Sequence, residues 1–128
     1  MASDDCKIRF LSGAARAMRK LGRSDPGRMP FVLAALARIT ENGWILSVHS
    51  GVIKVLDEQR QIGEIRDMGS GGYRLFFFWL DGRSVRTLFV TALEKKSKLK
   101  GKARVSDFID AADVLRRRYI EEMNEEEE

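Results

Sequence analysis

Between residues 52 and 93 the chain carries four short strand-forming stretches separated by turn-forming ones, and this arrangement leaves few folds open. VIKVL (52–56), RQIGEIR (60–66), YRLFFFWL (73–80) and SVRTLFVTAL (84–93) are rich in the β-branched and aromatic residues that suit a pleated, half-buried surface. Asp81-Gly82, between the last two, predicts a two-residue hairpin turn, because both central positions of such a turn need positive φ, which Gly and Asp accept most readily. DMGSGG (67–72) supplies the preceding connection. Three or four consecutive antiparallel strands are therefore expected.

The flanking segments read as helices. KIRF (7–10) alternates and predicts a first strand, with Ser12 placed as a helix N-cap and Ala14, Ala15, Met18 and Leu21 following at helical spacing. That helix should stop near Gly22, before the turn SDPG. A second should run from Met29 to Asn42 with Val32, Ala35, Leu36 and Ile39 on one face and Gly43 as its stop. A third should begin near Ser106, with Phe108, Ala111, Ala112, Leu115 and Tyr119 along one side. The expected fold class is α+β: an N-terminal helical hairpin packed on a small antiparallel β-sheet of four to five strands, with a C-terminal helix. With 128 residues, 44% of them apolar, one domain (1–120) is expected, and the glutamate-rich 121–128 should be a disordered acidic tail.

The net charge of +4 understates how basic this domain is, since EEMNEEEE at 121–128 holds six Glu and no cation. Without that segment, 23 cations face 13 anions. Such an excess favours a polyanionic partner, nucleic acid foremost. Cys6 is the only cysteine, so an internal disulfide is ruled out, and no Cys/His group has metal-ligand spacing. The start MASDDCKIRF does not read as a signal peptide, and no apolar run in the sequence reaches the length of a membrane span. A cytoplasmic protein with no membrane partner is the expectation.

Several residues are candidates for chemistry. KKSKLKGKAR (95–104) places Lys95, Lys96, Lys98, Lys100, Lys102 and Arg104 directly after the last strand without an intervening anion. Such a run binds phosphates without reading bases, and mutual repulsion makes a lysine within it a candidate proton donor or acceptor. A solvated loop is the alternative for any one of these lysines. Arg66 and Arg74 end one strand and begin the next, so their planar forks can approach one another to hold phosphate oxygens. Arg66 also follows Glu64 on the same strand face, which leaves a structural ion pair open. Of Tyr73, Phe76, Phe77, Phe78 and Trp79, alternate members face opposite sides of the sheet; most are expected in the core, the remainder against a helix, a partner or a base. His49, the only histidine, has no evident partner. No phosphate-loop motif, Ser/His/Asp set or carboxylate cluster is present, so no cofactor and no metal is expected.

Residues 62–98 resemble the RelE/HigB superfamily of toxins from bacterial type II toxin–antitoxin systems, particularly the HigB-like, phage-derived branch. The matching features are Glu64 and Arg66 on one strand, Tyr73-Arg74 followed by Phe76 to Phe78 on the next, a hairpin, an apolar strand with Phe89, and the Lys95-Lys96 pair. The preceding helical hairpin and following helix fall in the same order, so the resemblance extends over roughly residues 7 to 120. It implies a metal-independent endoribonuclease that cleaves messenger RNA, associated with the ribosome, and blocks translation. Arg66, Arg74, Lys95 and Lys96 would be catalytic, with the arginines stabilising the phosphate and the lysines in acid–base or electrostatic roles. Tyr73, Lys98, Lys100, Lys102 and Arg104 would bind the substrate. The implied partners are messenger RNA, the ribosome and a cognate antitoxin of helix-turn-helix type. The alternatives are a ParE-like toxin that inhibits DNA gyrase by binding, and an RNA-binding module without toxicity. The chain departs from the family pattern in its long basic connection after the last strand, its acidic end, and the lack of a Thr-Pro after the lysine pair.

Overall fold

The computed structural model describes residues 4–67, 69, 72–99 and 102–127, with side chains in the last helix described from 104 to 126. In chain order the elements are β1 (Cys6–Phe10), α1 (Ser12–Ser24), α2 (Met29–His49), β2 (Ile53–Asp57), β3 (Ile62–Arg66), β4 (Tyr73–Asp81), β5 (Arg86–Lys95) and α3 (Lys102–Glu127). Five strands form one sheet in the order β1-β5-β4-β3-β2. The fold is α+β, as the strand and helix patterns imply. β2 to β5 are antiparallel neighbours, and β1 joins the far edge parallel to β5, so the sheet is mixed rather than wholly antiparallel.

Alternation along the strands sends side chains to both faces, and helices cover both. Ile53, Ile65, Leu75, Phe77, Trp79, Leu88 and Val90 pack beneath Ala14, Leu21, Val32, Ala35 and Ile39 of the helical hairpin. On the opposite face Ile62, Phe78 and Phe89 meet Ala112, with Ile109, Leu115 and Tyr119 of α3 around them. The aromatic run is thus core from Phe76 to Trp79, with no exposure at Phe76, Phe77 and Phe78 and 4% at Trp79, while Tyr73 is half-buried. Burying a side chain of this size stabilises the fold by about 1.5–3 kcal/mol. A β-bulge between β4 and β5 leaves Thr91 unpaired, its hydroxyl donating to the Phe76 carbonyl at 3.2 Å. The extra residue keeps Leu93 and Val90 on one face although they are three positions apart.

Several boundaries differ from the sequence expectation, each for a physical reason. The β4–β5 turn is Gly82 to Val85, with Gly82 N–H donating to the Val85 carbonyl, and not a two-residue Asp81-Gly82 turn. Neither Asp81 nor Gly82 has positive φ; Asp81 instead pairs with Arg86 in the ladder, their side chains 2.6 Å apart. α3 starts at Lys102 rather than Ser106 and continues through Glu127, so the expected disordered tail is helical that far. Glutamate is a good helix former, and extending a helix already anchored by packing avoids the cost of nucleation. Helical structure also resumes after Gly43, through His49. The segment Pro26–His49 is long and apolar enough to cross a membrane by length and composition, because the helix joins apolar runs that are each too short in the sequence. In the fold it lays Val32, Ala35, Ile39, Gly43 and Ser47 against the protein and leaves Phe31, Leu33, Ile45 and Leu46 exposed.

Gly43 is the stop that the sequence marks, but it divides one helix rather than ending it. Its φ of 85° and ψ of 179° lie in a region essentially restricted to glycine. Asp4 restarts the helix beyond it, accepting from Trp44 N–H at its carbonyl (2.9 Å) and from Ile45 N–H at Oδ1 (2.8 Å). A Cβ at position 43 would collide with that carboxylate. Gly43→Ala is therefore expected to lower stability by about 1–3 kcal/mol from backbone strain alone. Asn, which rescues ordinary left-handed positions, should rescue nothing at this ψ; urea unfolding of both variants checks this.

Candidate functional site

The register of β3 against β4 sets Arg66 directly opposite Arg74. Two cations in cross-strand contact repel one another, and here Glu64 stands between them. Glu64 is 6% exposed, and its Oε1 lies 3.3 Å from Arg66 Nε and 3.9 Å from Arg74 Nε. Both readings of Arg66 drawn from the sequence thus meet in one cluster: an ion pair with Glu64, and an approach to Arg74. Burial holds the Arg74 guanidinium below its ordinary pKa; Glu64 opposes that shift and Arg66 adds to it. An arginine so placed still keeps its proton and gains from an anion that replaces lost water.

An open, mostly polar cleft of about 260 Å³ adjoins this pair, lined by Arg38, Ser50, Gly51, Arg66, Asp67 and Arg74 among others. Asp67 also lines the cleft and favours the charged form of Arg74, while its carboxylate is held chiefly by Arg28 and two backbone N–H groups. It accepts from Arg28 Nε (3.1 Å), Arg28 Nη2 (3.2 Å), Gly69 N–H (3.1 Å) and Tyr73 N–H (2.9 Å). Three arginines thus face the cleft with the carboxylates of Glu64 and Asp67 beside them, and guanidinium forks so grouped suit an anion of phosphate type. Arg38 was not singled out in the sequence, where nothing local distinguishes it from any exposed helical arginine.

Tyr73 and Lys95 are ladder partners, and they point to the other face of the sheet. A second cleft, also about 260 Å³, is lined there by Lys20, Ser24, Tyr73, Lys95 and Lys98, with α1 as its far wall. Tyr73 donates its hydroxyl to Asp25 Oδ2 at 3.3 Å, and its pKa is raised, by burial first and by Asp25 next. Lys96 opens a short 3₁₀ turn (Lys96–Lys98), its N–H donating to the Gly72 carbonyl at 2.8 Å, and its side chain is exposed. The residues expected to act together thus form two groups at one end of the sheet: Arg66 and Arg74 on the α3 side, Tyr73, Lys95 and Lys98 on the α1 side. Adjacent strand residues such as Tyr73 and Arg74 face opposite ways, a signal the sequence already carried.

Arg104 is tied down. It pairs with Glu94 at 3.2 Å and lies 5.0 Å over the Phe108 ring, which stacks on Phe76 at 4.6 Å. Lys100 lies outside the described residues, as does the side chain of Lys102. His49 is the exposed last residue of α2. Cys6, buried at the edge strand, has its thiol pushed up to about 11, chiefly by burial and then by Asp4.

Comparison of the chain with protein-family models, curated proteins and solved structures gave no match.

Proposed function

We propose that this chain is a toxin of the RelE/HigB type, a metal-independent endoribonuclease that cleaves messenger RNA in association with the ribosome, in the cytoplasm. The observation that carries the reading is the register pair Arg66–Arg74, which opens with Arg38 onto a cleft fit for a phosphodiester. In that reaction the 2′-hydroxyl attacks the adjacent phosphorus and the 5′-oxygen leaves with a proton, so charge grows on the non-bridging oxygens in the transition state. Arg66 and Arg74 stabilise that charge. Acid–base work falls to Lys95 and Lys96, which requires the RNA to bend over the end of the sheet where β4 begins. The partner belonging to this reading is a cognate antitoxin of helix-turn-helix type.

A second reading is favoured by one observation. Tyr73 and Lys95 lie on the face opposite Arg66 and Arg74, and such a separation suits a module that grips RNA without cutting it. One experiment separates the two: incubation of messenger RNA in a purified translation system with wild type or with Arg74→Ala, alongside RNA alone. New ribosome-dependent cuts that fall by about 100-fold or more in the variant are expected, the size of effect seen when a transition-state donor is removed. Intact message with RNA still bound would transfer the assignment to the RNA-binding module. Intact message despite growth arrest in cells would point to a toxin that acts by binding a protein target.

A further inference from the structure

We infer that α1 extends the end of β5 into a further phosphate-binding surface, which holds the backbone of a nucleic acid on the face of the sheet opposite Arg66 and Arg74. The inference goes beyond the nuclease reading and does not depend on cleavage. Arg16, Arg19, Lys20 and Arg23 stand at positions i, i+3, i+4 and i+7 of α1, which places them on one stripe of the helix. All four are exposed, and residues 6 to 24 contain no Asp or Glu. Lys20 also lines the cleft that holds Tyr73, Glu94, Lys95 and Lys98, so the stripe continues into the end of β5, where Glu94 is already paired with Arg104.

Charge pairing distinguishes this surface from the arginines that stand beside Asp57, Glu64 and Glu94. Among the described residues, no ion pair includes any of the four stripe cations, Lys95 or Lys98. On the α3 side, by contrast, Arg60, Arg66, Arg74 and Arg104 are all paired with carboxylates. Cations whose charge is not met within the protein are those that gain most from releasing counter-ions on a polyanion.

The dimensions and chemistry favour a nucleic acid over a lipid surface. From Arg16 to Arg23 the helix rises roughly 10 Å, enough to meet two to three neighbouring phosphates of one strand. A helix that lies on a membrane buries an apolar face in it. The apolar residues of α1, Ala14 and Leu21 with Met18, are instead packed in the core, and none of the large exposed apolar side chains belongs to this helix.

The test is a salt titration of binding to a short fluorescein-labelled single-stranded RNA, using the full chain. The fourfold variant Arg16→Gln/Arg19→Gln/Lys20→Gln/Arg23→Gln is compared with wild type and with Arg117→Gln/Arg118→Gln on the outer side of α3. Each lost phosphate contact on a single strand lowers the log–log salt slope by about 0.7, so the fourfold variant should lose about 1.4–2.1 units of slope. The α3 variant should keep the wild-type slope. Equal slopes for the fourfold variant and wild type, an equal loss in the α3 variant, or wild type that binds phosphatidylserine vesicles in preference to the RNA, would each overturn the inference. Circular dichroism of the fourfold variant confirms that its fold is intact, since all four positions are exposed. The cleavage assay on wild type tells the two proposals apart: no cutting by wild type, together with the expected slope loss in the fourfold variant, removes the nuclease reading and leaves this surface standing.

Discussion

Asp67→Ala is expected to destabilise the protein by about 3–5 kcal/mol, the usual consequence of removing one member of a buried ion pair. The Asp67 side chain has no solvent exposure and that of Arg28 has 19%, so neither charge can recover its hydration. Truncation would leave the guanidinium without its carboxylate and strip the acceptor from Gly69 N–H and Tyr73 N–H. Urea midpoints should rank wild type above Asp67→Asn, which keeps one carbonyl acceptor, and Asp67→Asn above Asp67→Ala. Adding Arg28→Met to Asp67→Ala should restore part of the loss, because an apolar replacement of both partners costs less than an orphaned charge. An Asp67→Ala midpoint equal to that of wild type would show that this anchor does not hold the fold. The consequence reaches the candidate site, since Asp67 fixes the residue at which β4 begins, and Tyr73 and Arg74 are the first two of that strand.

Phe77→Ala should cost a comparable amount, about 3–5 kcal/mol, through lost burial and the cavity left behind. Phe77 is fully buried at the centre of the sheet. Its ring meets Trp44 edge-on at 6.2 Å and Trp79 at 6.1 Å. It also lies across Gly63 of the neighbouring strand, where a Cβ would come within 2.7 Å of its Cζ. Gly63→Ala should therefore destabilise the wild type by overpacking. In a Phe77→Leu background, where the ring is gone, Gly63→Ala should cost less. Thermal and urea unfolding followed by tryptophan fluorescence reports on both, since Trp44 and Trp79 flank the site. Additive losses in the double variant would show that the glycine is not there to admit the ring.

These two features mark where sequence reasoning succeeds and where it stops. The strands of 52–93 are legible because they rest on local composition and period, and so are the inward faces of the three helices. The contacts that fix details are not local. Arg28 reaches Asp67 across 39 positions and Asp4 caps a helix 41 positions later, with no pattern linking the partners. The Asp81-Gly82 signal is displaced because ladder pairing extends to Asp81 and Arg86, and tertiary pairing overrides a turn preference worth little by itself. In the candidate site, the approach of Arg66 to Arg74 follows from a short turn between strands. The basic stripe of α1 was also readable, since Arg16, Arg19, Lys20 and Arg23 are at helical spacing, but the lysine run after β5 is the more conspicuous feature. The cleft with Arg38 depends on how α2 crosses the sheet, which the periodicity of α2 does not specify.

The parallel pairing of β1 with β5 has a consequence for the order in which the chain assembles. Cys6 lies opposite Arg86 and Phe10 opposite Val90, so the first strand made has its only sheet partner some eighty positions later. At a synthesis rate of about 5–20 residues per second, that partner is absent for roughly 4–16 s after β1 has been made. During this interval β1 has no ladder to join, while β2 to β5 can zip through short turns as they appear. β1 is therefore the last strand to dock, and it closes the edge of β5 that would otherwise stay open to another chain. A nascent chain arrested before residue 86 would hold β1 by its contacts with α1 and α2 alone, without a strand partner.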